Sequence, residues 1–141
     1  LKLSRTGFGW QTALGLALRD GEGYVPSRIL VVEDESGVAD LIDAVLTGEG
    51  YTVAVARDGA QGLMLARDWH PDLILMDVML PGVDGGTITR RLKSEAPTAD
   101  IPIVAMSAGR TIRDHTGELD DADAVLAKPF DIEALLTAVA F

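Results

Sequence analysis

From Ile29 onward, short apolar runs alternate with stretches in which apolar residues recur at helical spacing. Ile29–Val32 is a continuous β-branched and leucine run, as expected of a parallel strand buried on both faces. Val38, Leu41, Ile42, Val45 and Leu46 then line one helical face, and Gly48 and Gly50 stop that helix. Tyr51–Ala56 reads as a second strand. Asp58 is a candidate N-cap for a helix over Ala60–Asp68 that turns Leu63 and Met64 inward. Leu73–Met76 is the third strand, Gly82–Gly86 a loop, and Thr87–Glu95 a helix with Ile88 and Leu92 on one face. Ile101–Met106 is the fourth strand, with Pro102 at its start where no ladder donor is needed. Residues 109–122 read as a short, marginal helix carrying only Ile112, Leu119 and Ala122. Val125–Leu126 is a short fifth strand. Asp131–Phe141 closes as a helix with Ile132, Leu135, Leu136 and Val139 at i, i+3, i+4 and i+7. Strands separated by helices imply right-handed crossovers and a parallel sheet covered on both faces.

Residues 1–27 stand outside this pattern, so the chain divides into a 1–27 extension and a 28–141 domain. Lys2 and Arg5 precede an apolar stretch to Leu18 that superficially resembles a secretory signal. Gln11 and Thr12 interrupt it, and no small-x-small cleavage site follows. Trp10, Ala13, Leu14, Ala17 and Leu18 fit one helical face. An amphipathic helix is therefore the first reading, a translated leader the second and a signal peptide the last.

At 141 residues the chain fits one domain with a substantial core. No stretch approaches the roughly 20 apolar residues needed to span a bilayer. A formal charge of −10 argues against nucleic acid or anionic membrane as a partner held by a basic surface. The absence of cysteine removes disulfides, thiolate zinc sites and thiol catalysis, and fits a reducing cytoplasm. His70 and His115 lack metal-ligand spacing, and His70 before Pro71 is expected in a surface turn.

The chemistry lies where the strands end. Asp77 follows Leu73–Met76, Glu33 and Asp34 follow Ile29–Val32, and Ser107 and Lys128 follow two further strands. In open α/β sheets the carboxyl edge is where ligands bind. Singly, each residue has a structural explanation: a helix-capping loop for Glu33, Asp34 and Glu35, turns for Asp77 and Ser107, a surface charge for Lys128. Together at four strand ends of one small domain they point to a site. Two like charges about 5 Å apart repel by roughly 3 kcal/mol at an effective dielectric near 20. Three carboxylates therefore need a cation, or one takes up a proton. Hard oxygen ligands in an open cleft suit Mg²⁺. A carboxylate held there can act as a nucleophile toward phosphorus, with Lys128 and the Ser107 hydroxyl stabilising charge on the transferred group.

The motifs Ile29-Leu30-Val31-Val32-Glu33-Asp34-Glu35, Asp72 to Gly85 (through Asp77-Val78-Met79-Leu80-Pro81-Gly82), Ile101 to Ala108 and Ala127-Lys128-Pro129-Phe130 resemble those of response-regulator receiver domains of two-component signalling. The resemblance covers Arg28 to Phe141. It implies a flavodoxin-like α/β fold, a doubly wound five-stranded parallel sheet of order 2-1-3-4-5 with helices on both faces; a chemotaxis receiver of this family is itself a standard example of that order. It implies that Asp77 is the phosphoacceptor. Mg²⁺ would be held by Asp34, Glu33, Asp77 and the Met79 backbone carbonyl. Ser107 matches the switch hydroxyl, Lys128 its ion-pair partner, and the Lys128–Pro129 bond is expected to be cis. Three departures stand out. Val125 occupies a position usually Tyr or Phe, so the aromatic half of the usual switch is missing. The 107–128 stretch is shorter than usual and poor in apolar residues, so the standard dimer is not assumed and the oligomeric state stays open. No DNA-binding module is expected after the last helix.

The function implied is a cytoplasmic phosphoacceptor module, phosphorylated on Asp77 by a sensor histidine kinase or phosphotransfer protein and acting by contact with a downstream protein. It would turn over no exogenous substrate and bind neither nucleic acid nor membrane. The alternatives are a non-phosphorylated receiver-like scaffold and a receiver cut from a longer regulator or hybrid kinase. A haloacid-dehalogenase-like phosphohydrolase usually needs a second aspartate two residues after the nucleophile, where this chain has Met79.

Overall fold

Ile29, Leu30, Val31 and Val32 are all buried, and their side chains alternate between two separate cores. That is why this run shows no polar alternation: both faces of the strand are covered. The computed structural model describes residues 18–19, 23–24, 28–108 and 121–140. Along the chain these form β1 (Leu18–Arg19), β2 (Gly23–Tyr24), β3 (Arg28–Val32), α1 (Ser36–Gly48), β4 (Thr52–Ala56) and α2 (Gly59–Trp69). There follow β5 (Leu73–Asp77), α3 (Gly85–Ser94), β6 (Ile103–Ala108), β7 (Ala124–Lys128) and α4 (Ile132–Val139).

The five longer strands pair in parallel in the order β4-β3-β5-β6-β7, which is 2-1-3-4-5 when that sheet is counted alone. The flavodoxin-like expectation therefore holds. Ile29, Val31, Leu73, Leu75, Val104, Met106 and Leu126 face α1 and α4, meeting Ile42, Leu46, Leu135 and Val139. Leu30, Val32, Ile74, Met76 and Ile103 face α2 and α3, meeting Leu63, Ala66, Ile88 and Leu92. Burying so many leucine and isoleucine side chains, at about 1.5–3 kcal/mol each, holds the two layers on the sheet.

Several boundaries differ from the sequence expectation. Met64 is 53% exposed, because α2 packs through Gly59, Gly62, Leu63 and Ala66. A Cβ on Gly62 would meet Val32 Cγ2 at 2.9 Å, so small residues set how closely α2 lies on the sheet. Gly85 and Gly86 belong to α3, not to the preceding loop, with Asp84 as N-cap. Ile101 and Pro102 precede β6, which runs two residues further and takes in Ser107. β7 is five residues long, and Lys128 is its last residue, not one beyond it. Ile132 is 53% exposed rather than part of the α4 core face. Leu18, read as helical, pairs in β1 with Tyr24 of β2, while Trp10, Ala13, Leu14, Ala17 and the 109–120 stretch lie outside the described residues.

The Asp58 cap holds as expected, and a second aspartate caps α4. Asp58 accepts from the Gln61 backbone N–H at 2.8 Å, and His70 caps the other end of α2 with φ 54, a left-handed turn. Asp131 does the same for α4, accepting from Ala134 N–H at 2.7 Å. Asp131→Ala is expected to cost about 1 kcal/mol in urea unfolding, since it orphans that donor.

Candidate functional site

Because all five strands of the main sheet run the same way, the residues that end them share one edge. Glu33 leaves β3 with its backbone N–H still bonded to the Ala56 carbonyl at 2.9 Å, so it continues the ladder by one residue. Its side chain is only 1% exposed, and its Oε2 accepts from the Glu35 N–H at 3.2 Å. Asp34 beside it is exposed. Asp77 ends β5, the neighbouring strand, and is 3% exposed. One carboxylate oxygen each from Glu33, Asp34 and Asp77 lies within 4.8 Å of the others.

Lys128 closes the cluster from β7. Its ammonium donates to Glu33 Oε1 at 2.9 Å and to Asp77 Oδ2 at 3.3 Å. A single cation thus bridges two buried acids contributed by β3 and β5. Burial opposes the Lys128 charge, but the hydrogen bond to Glu33 and the charges of Asp77 and Glu33 outweigh it and hold the ammonium pKa above its ordinary value. Asp77 is pushed the other way for a carboxylate, up to about 6. Desolvation is the main cause, and nearby Glu33 adds to it; the Met79 N–H and Lys128 pull against it.

The Met79 backbone N–H donates to Asp77 Oδ1 at 2.9 Å. The Met79 side chain is 59% exposed. Ser107 is buried within β6, one residue beyond Met106, the register partner of Asp77. Its hydroxyl donates to the Ala108 carbonyl at 3.2 Å, turned to its own strand rather than to the acids. The Lys128–Pro129 bond is cis, as the resemblance implies. Val125 lies in β7 opposite Ala105 and is 44% exposed, so the position usually aromatic carries a short side chain open to solvent.

Sequence reasoning missed Gly85 as part of the site. A Cβ there would stand 2.0 Å from the Asp77 carbonyl oxygen. The available signal was a glycine at the first turn of a helix, where a side chain would ordinarily favour the helical backbone.

The donor set suits a hard divalent cation. Three carboxylates converge, two of them buried, in a place where their charge is only partly offset by one lysine. Among the described residues no helix is long and apolar enough to cross a membrane.

Comparison with known proteins agrees with this geometry. Residues 29–140 match the model of the response regulator receiver domain. The chain is 43% identical over 113 residues to the DNA-binding dual master transcriptional regulator RpaA of Synechocystis, covering 79% of this chain and 47% of that protein. It is 39% identical over 113 residues to the DNA-binding response regulator MtrA of Mycobacterium tuberculosis, covering 79% of this chain and 48% of that protein. The chain thus spans about half the length of the curated relatives it matches. Among solved structures, a putative response regulator from Chloroflexus aurantiacus superposes with a TM-score of 0.76 at 34% identity, over 81% of this chain and 94% of that one. The receiver domain of the sensor histidine kinase PA1611 from Pseudomonas aeruginosa, with a magnesium ion in its active-site cleft, gives 0.74 at 34% identity, over 82% and 94%. With its sheet order, its acidic cluster and these relatives in agreement, the chain belongs to the response regulator receiver domain family.

Proposed function

We propose that the chain is a phosphoacceptor module in which Asp77 receives a phosphoryl group with Mg²⁺ bound beside it. The observation that carries this is the convergence of Glu33, Asp34 and Asp77 within 4.8 Å, with Lys128 bridging two of them. Asp34, Glu33, Asp77 and the Met79 carbonyl would hold the ion, which supplies charge neutralisation for the incoming phosphoryl oxygens. The protein's own part is placement. Met79 N–H on Oδ1 fixes the rotation of the Asp77 carboxylate and leaves Oδ2 toward Lys128. An Asp77 oxygen attacks phosphorus, a P–O bond forms, and the bond to the donor breaks with its electron pair leaving on the donor. Lys128 then meets charge developing on the transferred group. Ser107 acts as the switch hydroxyl by turning from the Ala108 carbonyl toward that group.

The donor in this reading is a sensor histidine kinase or a phosphotransfer protein, the setting is the cytoplasm, and output passes by contact with a downstream protein. No exogenous substrate is turned over. A second reading, a receiver within a longer regulator, is favoured by the length of the relatives, which the chain half spans. Both readings use the same site.

The 141-residue chain incubated with Mg²⁺ and acetyl phosphate is expected to gain one phosphoryl group, seen by mass spectrometry as an acid-stable, hydroxylamine-labile adduct. Chelation of the metal should prevent the gain. A protein that stays unmodified yet binds a partner tightly would be the scaffold instead.

A further inference from the structure

Asp77 is held from behind as well as from the side. Its strand is locked to β6, with the Val78 N–H bonded to the Met106 carbonyl at 3.0 Å. Seven residues later the chain returns, and the Gly85 N–H donates to the Val78 carbonyl at 2.9 Å. At that closure a Cβ on Gly85 would lie 2.0 Å from the Asp77 carbonyl oxygen and 2.9 Å from both its carbonyl carbon and Val78 Cα. All three atoms are backbone, so no side chain can swing aside to make room. The same end of the loop rests on α2. A Cβ on Gly59 would meet Ile88 Cγ1 at 2.9 Å and the Val83 carbonyl oxygen at 3.3 Å. Within the loop Leu80 is buried in the core beneath α2 and α3, while Met79 and Val83 are half exposed or more, and an open cleft lies between Pro81–Val83 and Asp58–Ala60.

We propose that Gly85, with Gly59 as a weaker second support, is a positioning residue for the phosphoacceptor: its bare Cα lets the start of α3 press against the Asp77 carbonyl and so aims the Asp77 carboxylate. The inference rests on the phosphoacceptor reading and adds to it the part of the chain that sets the nucleophile's direction. A methyl group at residue 85 would drive the Asp77–Val78 peptide away by about 1 Å. The Met79 N–H would then leave Oδ1 and the carboxylate would turn. A misplacement of about that size costs on the order of 100-fold in rate. Gly59→Ala meets the tip of a side chain first, which can yield, so its effect is smaller.

The test measures phosphoryl uptake from acetyl phosphate with Mg²⁺, in the full chain, corrected to the folded fraction read by circular dichroism. Gly85→Ala should slow uptake about 100-fold per folded molecule, and Gly59→Ala a few-fold. Ile88→Val loosens the same helix packing without adding an atom near Asp77, and should leave the corrected rate unchanged. A purely structural glycine would lower the folded fraction but not the corrected rate. Wild-type corrected rates in Gly85→Ala overturn the proposal, as does an equal loss in Ile88→Val. Should Gly85→Ala not fold, Gly59→Ala decides, and a wild-type rate there overturns it. Failure of the wild type itself to take up phosphoryl sinks the phosphoacceptor reading and this inference together.

Discussion

Asp77→Asn protein, given Mg²⁺ and acetyl phosphate, takes up no phosphoryl group, and without metal at pH 8 it is more stable than the wild type. The first result follows from chemistry: an amide oxygen at this position is not a nucleophile toward phosphorus, and the other buried acid, Glu33, is engaged by the Glu35 N–H and the Lys128 ammonium. The second follows from the raised pKa. A carboxyl group moved from the ordinary 3.8 to about 6 by burial is disfavoured as an anion in the folded state. Its contribution is fully favourable below about pH 4 and is lost as pH rises through 6. Above pH 7 the whole cost, about 3 kcal/mol, falls on the wild type. Asparagine keeps the size, accepts from the Met79 N–H and carries no charge to desolvate. Urea midpoints of the two proteins should therefore separate by an amount that is largest near pH 8 and vanishes near pH 4. Equal stability at both pH values would show that the Asp77 anion is not under strain. Phosphoryl uptake by the variant would move the acceptor to another residue.

The sheet was legible because parallel strands buried on both faces need uninterrupted apolar runs, and Ile29–Val32 and Leu73–Met76 supply them. The acidic cluster was legible for a related reason: residues just past such runs must share one edge. Sequence reasoning failed where packing is done by small residues. In α2 the buried stripe is Gly59, Gly62, Leu63 and Ala66, at the right spacing for a core face, but two glycines carry no hydropathy signal. Hydropathy favours Met64 instead, and Met64 faces solvent. The same blindness placed Gly85 and Gly86 in a loop, although the close approach to Asp77 is what demands glycine there. Strand ends shifted for another reason. Pro102 lacks an N–H but its carbonyl still accepts from Ile74 N–H at 2.9 Å, so pairing begins in earnest at Ile103 and carries Ser107 inside the strand. In β7, Ala124 and Ala127 pair with Val104 and Ser107 without adding to an apolar run, and the strand looked shorter than it is.

Lys128→Ala leaves Glu33 and Asp77 facing each other without the cation that now lies 2.9 Å and 3.3 Å from them. Both carboxylates are almost wholly out of solvent, so water cannot replace the ammonium as a counter-charge. Breaking a buried pair by removing one partner costs about 3–5 kcal/mol, because a bare buried charge remains. The metal-free variant at pH 8 should lose stability on that order. Proton uptake by Asp77 relieves the repulsion without metal, so its carboxyl, already raised in the wild type, moves further above its unfolded value. The sign of the pH dependence follows: the stability gap to wild type narrows as pH falls, and widens as pH rises through the raised folded value of Asp77. Mg²⁺ brings two positive charges to the same oxygens, and should restore most of the loss. Its affinity should hold or increase, since the ion no longer shares Glu33 and Asp77 with an ammonium. Phosphoryl uptake should nevertheless fall, because nothing in the variant meets the charge arriving on the transferred group from the β7 side. Urea unfolding with and without Mg²⁺, beside calorimetric titration of the ion, separates these terms. A variant that unfolds equally with and without the ion would make Lys128 a packing residue, and an unchanged rate of phosphoryl uptake would remove it from the chemistry.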